Sequence, residues 1–248
     1  MENQPQPLAS AGSIISDSWK LFTSTWNTSI KTSSLLVYVG LAYLLAGLIA
    51  HLVPSLSLVM LATSVAGAIV TAWVGIRVLL TMLKLEAGEQ PLSPMEESKK
   101  AWSLFLPLVW IGLLSGLVIF GASLLLILPG IYFAIAMYFG QIFAIEQNLR
   151  GWKALSASRA LVQGRWWPTF WRLFAGGFIF GLCMGIISAI VMGIVNSFIG
   201  ASSIDPKITE APLQYGISQL AQMLVIAPFL SLMIGFQIKL YRQLQKTR

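Results

Sequence analysis

Six long apolar runs separated by polar links organise the chain, at about 34–53, 57–83, 105–128, 131–147, 170–199 and 216–240. Most reach the roughly 20 residues that a helix needs to cross a 30 Å hydrocarbon layer. The fourth, about 17 residues long, is the shortest. The pattern predicts an all-α, polytopic transmembrane helical bundle of six spans. Two links are tight. Leu52-Val53-Pro54-Ser55 closes the first pair of spans and Leu128-Pro129-Gly130 the second. At the second, Pro129 is expected to end the preceding hydrogen-bond ladder and Gly130 to take a left-handed turn, which makes both hinge residues. A longer polar link from Ser202 to Gln214, holding Asp205, Lys207 and Glu210, closes the third hairpin.

The stretches ahead of each hairpin carry a different period. Ile15, Trp19, Phe22, Trp26 and Ile30 follow one another by four, three, four and four residues, one face of a helix, with Ser16, Asp17, Lys20 and Ser24 largely elsewhere. Apolar aromatics on one side and a lysine on the other suit a helix lying in the membrane interface. Residues 1–33 are therefore read as an N-terminal segment with an interfacial helix, and 34–248 as the membrane domain. Setting Ser18 against Ala101 and Ser158 aligns three such stretches. Trp19 then meets Trp102 and Arg159, and Phe22 meets Phe105 and Val162. Three copies of an interfacial helix plus hairpin would give this match; so would chance aromatic coincidences in a chain this apolar.

Composition narrows the class further. Of 248 residues, 56 % are hydrophobic and only 10 % are charged, where a soluble domain carries roughly 25 % charged residues. So few charges cannot solvate a water-soluble globule, which excludes a soluble enzyme, a disordered tail and a coiled coil. The net charge of +7 would suit nucleic acid in a soluble chain. Here its distribution gives another meaning. Fifteen of the sixteen bases fall before span one, in the links between spans two and three and between four and five, after six, or, as Arg77, Arg172 and Lys239 do, in the span ends adjoining these stretches; Lys207 alone lies on the other side. The positive-inside rule then places both termini in the cytoplasm, N-in and C-in, in an inner membrane. Residues 1–13 lack the basic region of a signal peptide.

Two passages carry a family resemblance. One runs Leu125-Leu126-Ile127-Leu128-Pro129-Gly130-Ile131-Tyr132 and leads to Phe143-Ala144-Ile145-Glu146. The other runs from Lys153 through Ala154-Leu155-Ser156-Ala157-Ser158-Arg159 to Gln163-Gly164-Arg165-Trp166-Trp167. Together they resemble a bacterial superfamily of six-span inner-membrane proteins. That group includes the membrane domain of glycerophosphoryl diester phosphodiesterases and related uncharacterised integral membrane proteins. The resemblance implies the fold and no activity. The phosphodiesterase chemistry of fused members belongs to a separate barrel domain, for which this chain has neither room nor His and Glu motifs.

Candidate chemistry is sparse. Arg150, Lys153, Arg159, Arg165 and Arg172 cluster with Trp152, Trp166, Trp167 and Trp171. They are candidate contacts for anionic lipid head groups, although the positive-inside signal and an aromatic belt would look the same. Glu146 is expected to pair with Arg150 one turn on, or to sit in a cytoplasmic cavity facing Arg159 or Arg77. Arg77 is expected to snorkel. His51 reads as a solvated interface residue and Cys183 as a small apolar one. Gly177, Gly181, Gly185 and Gly193, extended by Ala189 and Ser197, form a small-residue face on span five, expected to pack within the bundle; a homodimer seam or a lipid slot is the alternative. Gly67, Thr71 and Gly75, and Ala42, Ala46 and Ala50, repeat the pattern in spans two and one. Pro228 is a candidate hinge in span six, near Gln222 and Gln237; with Gln141 and Asn196 these amides could line a polar path or make interhelical hydrogen bonds.

The expectation is a non-enzymatic scaffold or anchor that meets membrane lipids, anionic ones first, and a protein partner or a second copy, with no cofactor, no metal and no nucleic acid. A lipid or small-solute transporter or channel is the alternative.

Overall fold

The protein is described by a computed structural model covering residues 8–56, 58–199 and 211–247. The third link up to Glu210, with Lys207, and the terminal Arg248 lie outside the described residues. Among the described residues the chain is all helix: α1 Ala11–Ser24, α2 Trp26–Ser33, α3 Leu35–Leu52, a 3₁₀ turn Pro54–Leu56, α4 Leu58–Glu86, α5 Pro94–Leu125, α6 Ile127–Ala136, α7 Gly140–Glu146, α8 Trp152–Val162, α9 Trp166–Ile199 and α10 Pro212–Lys246. Six stretches are long and apolar enough to cross a membrane: 26–52, 54–86, 94–125, 127–146, 166–198 and 212–246. This is an all-α, multi-pass integral membrane protein.

The surface agrees with that class. On α5, Leu106, Leu113, Leu117, Phe120 and Leu124 are exposed, and on α9 Phe174, Phe178, Leu182, Ile186, Ile190, Ile194 and Phe198. Apolar runs of this length are not left facing water. They meet lipid.

The chain forms two compact units: residues 1–24, 80–178 and 234–248 make the first, and 25–79 and 179–233 the second. Charge divides with them. Among the described residues every acid and twelve of the fourteen bases belong to the first unit; only Lys31 and Arg77 belong to the second.

In the second unit, α3 buries Leu36, Val39, Gly40, Tyr43, Ala46, Gly47 and Ala50, a helical stripe. Gly40, Gly47 and Gly216 let α3 and α10 meet backbone to backbone. A Cβ on Gly216 would stand 2.6 Å from the Tyr43 carbonyl oxygen, and one on Gly47 would lie on that of Pro212. Ala46 and Ala50 are buried with Met60, as expected, while Ala42 is exposed. Gly67 abuts the Tyr43 ring; Gly75 meets nothing. Arg77 does not snorkel. It is buried, with its guanidinium 4.9 Å from the centre of the Trp73 ring, a cation–π pair made one turn back on α4.

In the first unit the end of α10 is central: Ile238, Leu240, Tyr241 and Leu244 are fully buried. Phe139 and Phe143 approach the Tyr241 ring at 6.0 and 5.3 Å. Two helix starts in this unit are capped by serine. Ser10 accepts from the Ser13 amide at the head of α1, and Ser93 from the Glu96 amide at the head of α5, where a full capping box forms. Ser18, Ala101 and Ser158, the aligned positions, are all fully buried, and Ile14, Glu97 and Ala154 one turn earlier are buried too. Trp19–Phe22 and Trp102–Phe105 repeat one tilted pairing, at 5.7 and 5.3 Å. Only α1 and α8 are separate pre-span helices; the second stretch is continuous with its span in α5.

Three sequence expectations need correction. The single face predicted from Ile15 to Ile30 is split between α1 and α2; α1 buries Ile14, Ser18, Leu21 and Phe22, while Trp19, and Trp26 on α2, point outward, as an interfacial face would. The helix also breaks at Thr25. The second hairpin turns at Leu126, whose extended backbone (φ −159°, ψ 146°) ends α5. Pro129 and Gly130 sit in the first turn of α6, and Gly130 is not left-handed. Pro is well tolerated there because first-turn amides have no helical partner. Gly130 is needed for closeness instead: a Cβ would lie on the Ser123 hydroxyl. Lastly, Gly177, Gly181, Gly185 and Gly193 do not pack within the chain, since a Cβ at any of them would meet no other atom. Pro228 lies inside α10, which continues through it.

Candidate functional site

The first unit holds an ion-pair network built from three helix ends. Glu86 ends α4, Glu146 ends α7, and Lys239 and Arg242 stand three apart near the end of α10, where positive charge also favours the helix dipole. Arg242 donates from Nε to Glu86 Oε2 at 2.9 Å. Its two terminal nitrogens grip Glu146, Nη2 to Oε1 at 2.5 Å and Nη1 to Oε2 at 3.1 Å. Lys239 Nζ reaches Glu86 Oε1 at 3.3 Å. Only 12 % of the Glu86 side chain and 22 % of the Glu146 side chain remain exposed. Forked charge-assisted contacts of this kind are the strong class of hydrogen bond. Beside the network lies a cavity of about 440 Å³ lined by Lys84, Glu89, Lys100, Glu146, Gln147 and Arg242. Lys84 and Glu89 form an ion pair there at 2.6 Å, and the Lys84 ammonium holds the Glu89 carboxyl below the usual glutamate range.

Glu146 therefore faces a cavity, with Arg242 as its partner. Neither Arg150, Arg159 nor Arg77 is. The helix stops at Glu146, and Asn148 and Gly151 take positive φ, so 146 and 150 never share a helix face.

The arginine and tryptophan cluster divides in two. Arg165 caps the end of α10, donating to the Leu244 carbonyl at 3.0 Å and to the Thr247 hydroxyl. Arg172 holds the start of the described chain: Nε donates to Ala9 O at 2.7 Å, Nη2 to Leu8 O at 2.8 Å and Nη1 to Pro168 O at 2.8 Å. Trp166 donates from Nε1 to Tyr132 O at 3.2 Å and stacks on Phe170, starting a ladder of near-parallel rings through Phe174 to Phe178. Arg165, Arg172 and Trp166 thus do structural work. Arg150, Lys153 and Arg159 are exposed, together with Trp152, Trp167 and Trp171.

The Ala154-Leu155-x-x-Ser158 passage also has a structural task. Span four is interrupted at 137–139, between α6 and α7, and interruptions in an apolar layer leave backbone groups that must be satisfied internally. Ser158 donates to Ala136 O at 2.8 Å and accepts from the Phe139 amide at 3.1 Å. Gln237 donates to the Tyr138 carbonyl at 3.0 Å. Leu155 fills the space over Gly140, with its Cδ2 2.9 Å from where a Cβ would be. The break itself has no sequence signal as plain as a proline.

The second unit contains a groove between α9 and α10 of about 420 Å³, lined by Ser188, Ala189, Met192, Tyr215, Ser218, Gln219, Gln222 and Ile226. Gln222 lines it as the polar-path reading requires. Asn196 and Gln141 are not among its walls, and Gln141 belongs to the first unit. The Ser218 hydroxyl and the Asn196 carbonyl oxygen are buried without a hydrogen-bond partner. The serine, tyrosine and second glutamine went unnoticed in the sequence. Their positions 215, 218, 219 and 222 share a helical face, which is a readable signal.

His51 and Cys183 are exposed, and among the described residues no three His, Cys, Asp or Glu side chains converge as a metal site would require. No family model matches the chain, and no curated protein or solved structure matches it.

Proposed function

We propose that this is a non-enzymatic scaffold of the bacterial inner membrane, with both termini cytoplasmic, that uses a cationic and aromatic surface to hold anionic lipid. The observation that carries the reading is the division of the arginine cluster. Among the described residues Arg150, Lys153 and Arg159 hold no backbone carbonyl; they are exposed, next in sequence to exposed Trp152, and Trp167 is exposed at the head of α9. Tryptophan rings favour the head-group level, and each base near an anionic surface adds roughly 1 kcal/mol of attraction. The concentration of bases in the first unit supports the orientation, because Lys and Arg are retained on the cytoplasmic side. Membership of the six-span superfamily rests on the Pro129-Gly130-Ile131 and Ala154-Leu155-x-x-Ser158 passages.

Native mass spectrometry of the full chain released from mixed phosphatidylglycerol and phosphatidylcholine tests this. Retained phosphatidylglycerol should fall when Arg150, Lys153 and Arg159 are replaced by Gln. Equal retention by the variant would remove the reading.

The groove with Gln222 favours a second reading, passage of lipid or a small solute. Movement of labelled lipid across vesicles containing the protein, absent from empty vesicles, would establish it.

A further inference from the structure

We infer that the groove between α9 and α10 binds a neutral amphiphile whose head carries a hydroxyl or amide group, a lipid of the diacylglycerol type. This goes beyond the surface proposed to hold anionic lipid and depends on neither functional reading above.

The argument starts from where the polar groups lie. Ser218 and Gln222 are six and ten residues into α10 from Pro212, and Ser188 eleven from the end of α9 at Ile199. At 1.5 Å per residue they lie roughly 9, 15 and 16 Å along helices long and apolar enough to cross a membrane. Polar side chains at that depth normally pair with a neighbouring helix. Ser218 does not: its hydroxyl is buried, the residue is 6 % exposed, and no partner lies within reach among the described residues. An orphaned buried hydroxyl is costly, and a ligand that supplies a donor or acceptor removes the cost.

The lining then selects the ligand. Among the described residues that line the groove none is charged. A phosphate or ammonium head would enter without a counter-charge, which an apolar layer penalises heavily. Two carboxamides and three hydroxyls, those of Ser188, Tyr215 and Ser218, offer both donors and acceptors, the complement of an alcohol or an amide. Met192, Ile226 and Ala189 supply an apolar wall for the adjoining chain. A volume of about 420 Å³ falls within the range of small-molecule sites.

The test uses the full chain in phosphatidylcholine nanodiscs and a diacylglycerol carrying a photoactivatable diazirine. Crosslinked peptides should map to α10 between 215 and 226. Unlabelled dioctanoylglycerol should displace the label, and trioctanoylglycerol, which lacks the free hydroxyl, should not at the same concentration. Ser218→Ala and Gln222→Leu should each weaken labelling by about three- to tenfold, the worth of one neutral hydrogen bond. Ala189→Phe fills the groove without touching a polar group and should abolish labelling. Matching thermal unfolding of the variants and the parent chain shows that the fold is kept. Should a polar variant fail to fold, Ala189→Phe alone decides. Labelling that survives Ala189→Phe, displacement by the triester as effective as by the alcohol, or no labelling of the groove overturns the proposal.

Discussion

Arg242 grips both oxygens of Glu146 across 96 positions of sequence, at 2.5 and 3.1 Å. The same guanidinium reaches Glu86, so one side chain on α10 ties the ends of α4 and α7 together. Its removal leaves two partly buried carboxylates with reduced compensation. Arg242→Ala should lower stability by about 2 kcal/mol, a value discounted for the exposure that remains. Arg242→Lys, which keeps the charge and loses the fork, should recover only part of it. Denaturant unfolding in detergent reads both, and an unchanged midpoint for Arg242→Ala would show the network to be inert.

Ser158 serves the interruption in span four. Ser158→Ala removes the donor to Ala136 O and the acceptor for the Phe139 amide, and the cost should be about 2 kcal/mol because two buried backbone groups lose partners. Hydrogen exchange is the sharper readout. The Phe139 amide should exchange faster in the variant while amides in α3 keep their protection; a uniform change across the chain would contradict a local role.

The glycines that matter for packing are not those of the span-five stripe. Gly216→Ala drives a methyl into the Tyr43 carbonyl and the Leu44 backbone, neither of which can swing aside. It should cost about 1–3 kcal/mol. Gly185→Leu enters open space and should leave the thermal midpoint in detergent unchanged. The reverse order would show that α9 packs by its small-residue face after all.

Acid should act on the Lys84–Glu89 pair late. The folded carboxyl is held below its unfolded value by the Lys84 hydrogen bond and charge. Its contribution is therefore present above the unfolded value and disappears as pH falls through the folded one. Because the pair is exposed the effect is small. Glu89→Gln should erase it, so the parent should be slightly the more stable at neutral pH and the two stability curves should converge only as pH falls through and below the ordinary glutamate range. A difference that stays constant through the acid limb would contradict this.

Much of the architecture was legible because it depends on length and local composition. The six spans and the tight first hairpin at Pro54 follow from runs and spacings within one segment. What failed depends on partners far away in sequence. The choice of Arg242 for Glu146 is made by where α10 ends, and Arg165 is drawn to the Leu244 carbonyl by the same helix end. The interruption at 137–139 is held by Ser158 and Gln237, so no residue inside it announces it. Small residues on α9 looked like a packing face because small size permits close approach, yet permission is not contact. Gly40, Gly47 and Gly216 make that contact, on a face shared with the bulky Tyr43.

The central claim, that Arg150, Lys153 and Arg159 hold anionic lipid beside exposed tryptophans, is tested most directly by quenching of tryptophan fluorescence with brominated lipids. In vesicles of matched composition, brominated phosphatidylglycerol should quench the parent chain more strongly than brominated phosphatidylcholine. Replacing the three bases by Gln should make the two lipids equivalent. Equal quenching of the parent chain by both lipids, or a preference that survives the triple replacement, would contradict the account.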